Sequence, residues 1–126
     1  MRFLLDTAIL IWATESPDRL TRRATAALKD KGNVLELSAV SLSEIAIKQA
    51  CGKLAFPSSL VRQALKELDI RILPYTADHV FLLFDLPLHH RDPFDRQIIV
   101  QALAEKIAVV TPDESFSLYA GIKIVW

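Results

Sequence analysis

Glycine and cysteine are both scarce in this chain, which has three glycines and one cysteine among 126 residues. Glycines so far apart form neither a G-x-G-x-x-G nor a Walker pattern, and this excludes the usual nucleotide-binding loops. The single Cys51 excludes an internal disulfide and is typical of a protein from a reducing compartment. Nucleotide-dependent enzymes and disulfide-rich secreted domains are therefore poor candidates.

The chain also lacks an excess of either charge and any long apolar run. Fifteen basic and fifteen acidic residues cancel, so binding to nucleic acid would need a local cationic rim. No run approaches the ~18 apolar residues of a membrane helix, and Asp6 interrupts the apolar N-terminus, unlike a signal peptide. With 52% hydrophobic residues, the chain is expected to be one cytoplasmic domain over residues 1–126, without membrane contact.

Short apolar segments alternate with amphipathic ones, which is typical of strands alternating with helices. Gly52 is a helix stop, and Asp92-Pro93 is a helix start. The apolar segments are continuous, as in a parallel sheet covered on both faces, and this predicts a three-layer α/β/α sandwich with a mostly parallel central sheet. The predicted strands cover 2–5, 34–37, 70–73, 108–111 and 122–125, and the predicted helices cover 7–14, 21–31, 41–50, 58–68, 76–84, 93–105 and 114–119.

Acidic residues recur where predicted strands give way to helices. Asp6 follows the first strand, Glu44 comes soon after the second, and Asp113 follows the fourth; Asp95 opens the apolar run of a later helix. In parallel sheets, ligands bind outside the carboxyl ends of the strands. Carboxylates gathered there, at ~5.5 Å and an effective dielectric constant of ~20, would repel by about 3 kcal/mol per pair. A divalent cation would offset that repulsion, and Mg²⁺ or Mn²⁺ takes oxygen ligands.

Each acid also has a purely structural interpretation. Asp6, Asp92 and Asp113 stand at N-cap positions, where a carboxylate accepts hydrogen bonds from the first N–H groups of a helix. Glu44 lies three residues after Ser41, in the pattern of a capping box. From the spacing alone, helix capping and metal binding remain equally open.

Other catalytic chemistries have little support in the sequence. The histidines do not show zinc-ligand spacing, and no serine or cysteine has an identifiable base partner, so we expect the histidines to have no catalytic role. The cationic candidates for contacts with a substrate are Lys48, Arg91 and Arg96. Lys48 follows Glu44 by four residues, so an ordinary helical ion pair is its alternative interpretation.

Five segments together resemble the PIN-domain ribonucleases, and within them the VapC toxins of bacterial type II toxin–antitoxin pairs. They are residues 4–7 (LLDT), 41–48 (SLSEIAIK), 52–54 (GKL), 89–96 (HHRDPFDR) and 109–113 (VVTPD). The resemblance extends over essentially the whole chain. It implies a metal-dependent endoribonuclease in which Mg²⁺ or Mn²⁺ is held by four acids, namely Asp6, Glu44, Asp95 and Asp113. Asp92 is the competing choice for the third acid, or a fifth carboxylate beside the site.

The resemblance also implies partners and substrate contacts. Lys48, Arg91 and Arg96 are expected to contact RNA, and Thr111 to contact the substrate or support the acids. A homodimer is expected, with a cognate antitoxin whose tail enters the acidic groove. Two alternatives remain, a catalytically silent PIN-like binding scaffold and a nuclease for single-stranded DNA. A signalling receiver domain is disfavoured because Asp6 has no acidic neighbour and no lysine follows the fourth strand.

Overall fold

The computed structural model describes all 126 residues. Five strands form one sheet: β1 (Arg2–Leu5), β2 (Val34–Ser38), β3 (Ile70–Leu73), β4 (Ala108–Val110) and β5 (Ile124–Val125). Their order is β3-β2-β1-β4-β5, and every neighbouring pair is parallel. The prediction of a mostly parallel sheet is confirmed.

Six helices connect the strands, as the βα alternation in the sequence predicts. They are α1 (Thr7–Glu15), α2 (Arg22–Lys29), α3 (Ala39–Ala50), α4 (Ser58–Glu67), α5 (Ala77–Leu82) and α6 (Pro93–Glu105). Three short 3₁₀ turns complete the chain, at Pro17–Arg19, Leu83–Asp85 and Glu114–Leu118. None of the helices has the length and apolar character needed to span a bilayer.

Two hydrophobic clusters lie on opposite faces of the sheet, because successive side chains of a strand alternate in direction. On β1, Phe3 and Leu5 pack into the cluster that contains residues of α1 to α4. Leu4 points the other way, into a cluster with Ile98 and Ile99 of α6. Each buried Leu or Ile contributes about 1.5–3 kcal/mol. Burial on both faces of one strand confirms the predicted three-layer sandwich.

Helix α3 begins earlier than the sequence pattern predicts. Its N-cap is Ser38, whose hydroxyl accepts a hydrogen bond from the Val40 N–H at 2.9 Å. Ser41 and Glu44 therefore lie inside the helix and are both buried. The predicted capping box is wrong, because an earlier serine caps the helix and frees Ser41 and Glu44 for other contacts.

The strand order creates a crevice next to β1. The chain passes from β1 to β2 and β3 on one side, and later returns to the other side of β1 as β4. The carboxyl ends of β1 and β4 therefore flank the point where the winding direction reverses, which is where open α/β sheets bind ligands. The backbone N–H of Asp6 donates to the carbonyl of Val110 at 3.0 Å, and this bond fixes the two strand ends side by side.

Candidate metal centre

Asp6 is the first residue after β1, and its carboxylate is buried at the crevice. The hydroxyl of Thr111, just after β4, donates to Asp6 Oδ2 at 2.7 Å. Asp6 holds the N-cap position of α1 without a side-chain capping hydrogen bond, so the capping interpretation is wrong for this residue. Burial raises the pKa of Asp6, the Thr111 hydrogen bond opposes that rise, and the negative charge of Glu44 adds to it.

Glu44 enters the same site from the second turn of α3. Its Oε1 accepts a hydrogen bond from the Thr7 hydroxyl at 2.7 Å, and its Oε2 lies 2.6 Å from Lys48 Nζ. Thr7 also lies 2.8 Å from the buried hydroxyl of Ser41. Thr7 and Ser41 thus orient Glu44, a role that the sequence analysis missed. Thr7, which carries a hydroxyl and directly follows Asp6, was the sequence signal that could have indicated this role.

Asp95 and Asp113 are joined by a histidine. The Nε2 atom of His90 lies 2.8 Å from Asp113 Oδ2 and 3.1 Å from Asp95 Oδ2. These ligand-type atoms all lie within 4.8 Å of one another. The sequence analysis predicted no catalytic role for the histidines and did not place His90 beside the acids. No local pattern could reveal it, since the contact to Asp113 joins residues 23 positions apart.

The electrostatics show that the acids share one environment. Burial, together with the negative charges of Asp6, Asp92 and Glu44, raises the pKa of Asp95 to about 7, although His90 opposes the rise. Asp113 behaves in the opposite way. Burial alone would raise the pKa of Asp113, but hydrogen bonds from Ser115 and His90 outweigh it, and the net pKa is lowered. The fold therefore brings acids from four parts of the chain into mutual electrostatic contact.

Two of the acids also cap helical segments. Asp92 Oδ1 accepts from the N–H groups of Phe94 at 2.8 Å and Asp95 at 3.1 Å, which confirms it as the N-cap of α6 with Pro93 in the first position. Asp113 Oδ1 accepts from the N–H of Ser115 at 2.9 Å and caps the 3₁₀ turn. Asp92 and Asp113 therefore cap helical segments and also lie beside the site.

Lys48 and Arg91 differ in how far they are engaged. Lys48 pairs with Glu44, as the i,i+4 interpretation predicted, and its side chain is 42% exposed. Hydrogen bonding to Glu44 raises the pKa of Lys48. Arg91 is exposed and makes no side-chain hydrogen bond. The charges of Asp92 and Asp95 also act on Lys48, and Arg91 directly precedes Asp92 in the chain.

The Arg96 side chain contacts backbone carbonyls, and Thr111 supports an acid, which is one of its two predicted roles. The Arg96 guanidinium donates to the carbonyls of Leu86 at 3.1 Å, Pro87 at 2.9 Å and His90 at 3.2 Å. It therefore holds the loop before α6 in place. Thr111 is fully buried and donates to Asp6. Thr111 thus supports an acid, and a buried hydroxyl does not reach a substrate.

The residues fit a hard divalent cation. Their donor atoms are carboxylate oxygens, the ligands that Mg²⁺ and Mn²⁺ take. Each of Asp6 and Asp95 has a pKa raised by burial and by neighbouring negative charge. A bound dication would replace that repulsion with attraction. The ligand-type atoms that lie within 4.8 Å of one another belong to His90, Asp95 and Asp113. Asp6 and Glu44 act on Asp95 through their negative charges.

Comparisons with known proteins show the family and agree with the fold. The family model for the PIN domain matches residues 3–122. The fold is similar to a chain of DNA-bound VapBC from Salmonella typhimurium (TM-score 0.73, 17% identity, 98% of this chain and 96% of that one). It is similar also to VapBC2 from Rickettsia felis bound to a promoter DNA fragment (TM-score 0.69, 20%, 98% and 97%). A third similar structure is VapBC-5, a member of the VapBC toxin–antitoxin systems, from Mycobacterium tuberculosis (TM-score 0.60, 20%, 98% and 97%). The search of curated proteins gave no match.

Proposed function

The chain belongs to the PIN-domain family, and we propose that it is a metal-dependent endoribonuclease, the toxin of a type II toxin–antitoxin pair. Residues 1–126 would form one cytoplasmic nuclease domain. The observation that carries the proposal is the gathering of Asp6, Glu44 and Asp95 at the crevice between β1 and β4. Burial and the negative charges of Asp6 and Glu44 both raise the pKa of Asp95. The family resemblance in the sequence motifs supplies the substrate class.

Asp6, Glu44 and Asp95 would hold Mg²⁺ or Mn²⁺ in this site. When bound, such an ion lowers the pKa of a coordinated water and stabilises negative charge on a phosphate under attack. The chain's own residues keep the acids in place: Thr111 fixes Asp6, and Thr7 fixes Glu44. Asp95 must be ionised to bind a cation, so metal affinity should rise with pH up to about 7.

RNA would meet the site through local cations, because the net charge is zero. Lys48 pairs with Glu44, Arg91 directly precedes Asp92, and both side chains are exposed enough to contact phosphates. Contacts of this kind make binding fall with added salt. Arg96 is left out, since its guanidinium is occupied by loop carbonyls.

We propose a cognate antitoxin and a homodimer as partners. Structures that share the fold include VapBC complexes, and the antitoxin here would cover the acidic groove. An exposed apolar surface supports protein partners: Phe81, Phe84 and Leu88, in α5 and the segment after it, are 67%, 79% and 65% exposed. Aromatic side chains exposed together are typical of protein interfaces.

The direct test is cleavage of single-stranded RNA by the purified protein with Mn²⁺, with EDTA, and with Asp6→Asn in place of wild type. We expect cleavage only by wild type with metal, while Asp6→Asn keeps its circular dichroism spectrum. Asp85→Asn is the matched control, because Asp85 is exposed and its side chain makes no hydrogen bond or ion pair. Cleavage by Asp6→Asn at the wild-type rate would remove the assignment.

Two other outcomes would select the alternatives. If single-stranded DNA is cut and RNA is not, the site is that of a DNA nuclease. If neither is cut at any metal concentration, the chain is a PIN-like binding scaffold.

A further inference from the structure

We infer that His90 is a positioning residue, a fixed N–H donor that pairs Asp95 with Asp113 and is not itself a ligand of the metal. The inference rests on the proposed function, because it assigns a role to a residue of the same site. It specifies which atoms of the site would contact the ion. Three steps lead to it.

The His90 ring is held from several sides. Its side chain is 14% exposed, and the ring stands edge-on to Phe116, with centroids 5.9 Å apart. The Tyr119 hydroxyl accepts the backbone N–H of His90 at 2.8 Å, and Arg96 donates to the His90 carbonyl at 3.2 Å. Neighbours on three sides thus fix the backbone and the ring, so its two nitrogens face defined partners.

Those partners set the tautomer. The backbone N–H of Asp92 donates to His90 Nδ1 at 3.1 Å. Nδ1 must therefore carry a lone pair, which places the proton of the neutral ring on Nε2. Nε2 faces carboxylate oxygens of Asp95 and Asp113, which are acceptors when ionised. Contacts at opposite ends of the ring thus require the same tautomer, with Nε2 as the donor.

This tautomer is the reverse of the one that a metal ligand needs. A coordinating imidazole presents a bare nitrogen to the ion, and its other nitrogen donates N–H to a carboxylate or a carbonyl. In His90 the nitrogen nearest the acids bears the proton, and the other nitrogen faces a donor. The ion is therefore left to the carboxylate oxygens.

What His90 does instead is to link two acids from separate elements. Asp95 belongs to α6, and Asp113 follows β4. The Nε2–H donates to Asp113 Oδ2 at 2.8 Å, and Asp95 Oδ2 lies 3.1 Å from the same nitrogen. Partners that orient metal ligands in this way typically affect metal affinity by about 10–100-fold.

The experiment has two arms, and the first uses metal-free protein. Nitrogen-15 NMR of the His90 ring reports which nitrogen is protonated, independently of any metal or activity. We expect a protonated Nε2 and an unprotonated Nδ1 at neutral pH. A ring protonated on Nδ1 would overturn the inference.

The second arm measures Mn²⁺ binding by calorimetry and electron paramagnetic resonance for wild type, His90→Ala, His90→Gln and His89→Ala. We expect His90→Ala to bind Mn²⁺ about 10–100-fold more weakly. His90→Gln should recover most of that loss, since its amide N–H₂ can replace the Nε2 donor. His89→Ala is the control, because the His89 ring packs against Tyr119 and does not touch the acids. Neither wild type nor any variant should show a hyperfine coupling between Mn²⁺ and a nitrogen of the His90 ring.

The outcomes separate the two claims. Nitrogen coupling in wild type that disappears in His90→Ala, or unchanged affinity in His90→Ala, would overturn the role of His90. Wild-type protein that binds no Mn²⁺ would refute the proposed function, while the NMR arm still decides the tautomer.

Discussion

Replacing Asp95 by asparagine should stabilise the metal-free protein, although it removes an acid from the site. Asp95 is half-enclosed among like charges, and burial together with Asp6, Asp92 and Glu44 raises its pKa from 3.8 to about 7. An ionised Asp95 is therefore destabilising above neutral pH. Asparagine has the same shape and lacks the charge.

The magnitude follows from the change in pKa. At about 1.36 kcal/mol per pKa unit, a rise from 3.8 to about 7 has a ceiling of roughly 4 kcal/mol. The side chain is 18% exposed, and solvent screening reduces the expected gain to about 2 kcal/mol. For 126 residues, that gain corresponds to a rise in Tm of about 7 °C.

The gain must depend on pH in a defined direction. Between about pH 4 and pH 7 the folded protein holds a proton on Asp95 that the unfolded chain has lost, so wild-type stability falls as pH rises. The advantage of Asp95→Asn is therefore absent near pH 4, grows through that window, and is complete above about pH 7. Added Mn²⁺ should reverse the order at high pH, because only the carboxylate gains a cation.

Thermal melts in EDTA across this pH range measure the effect, with Asp85→Asn as the control on an exposed acid. The control should leave Tm unchanged. If Asp95→Asn melts at or below the wild-type temperature at about pH 8, or if its advantage is greatest in acid, Asp95 is not held among like charges and the electrostatic account is wrong.

Two further predictions concern the residues around the acids. Thr111→Val removes the donor to Asp6 without changing the side-chain shape. We expect urea melts to show a loss of about 2 kcal/mol in the free energy of unfolding. An unchanged melt would contradict the role given to Thr111. Arg96→Ala removes the hydrogen bonds to the carbonyls at Leu86 to His90; we expect a loss of about 2 kcal/mol and faster amide exchange in the loop. Arg91→Ala is its control and should stay within about 0.5 kcal/mol of wild type; equal losses in both variants would remove the loop-holding role of Arg96.

The fold was largely predictable because its signals are local. Continuous apolar runs gave the strands at 2–5 and 70–73 with the observed bounds, and Asp92-Pro93 correctly marked the start of α6. Helix α3 shows the limit of such signals. The spacing of Ser41 and Glu44 matched a capping box, but Ser38 is the residue that caps the helix. A local sequence pattern cannot show which of two nearby serines will be the N-cap.

The site was predictable only in part. The strand-end acids follow from topology, since parallel strands bring their carboxyl ends to one edge. The partners of those acids do not follow, because they depend on tertiary contacts: Thr111 meets Asp6 across 105 positions and His90 meets Asp113 across 23. Arg96 was misassigned for the same reason. A cation beside an acid looks free in sequence, yet it is occupied by carbonyls of a loop that precedes it.

Locating a bound ion would show whether these acids bind a metal. Crystals soaked in Mn²⁺ would be measured at an X-ray wavelength where manganese scatters anomalously. We expect an anomalous peak within coordinating distance of carboxylate oxygens of Asp6, Glu44 and Asp95, with His90 Nε2 outside the coordination sphere. A peak at another part of the surface, or no peak at saturating Mn²⁺, would contradict it.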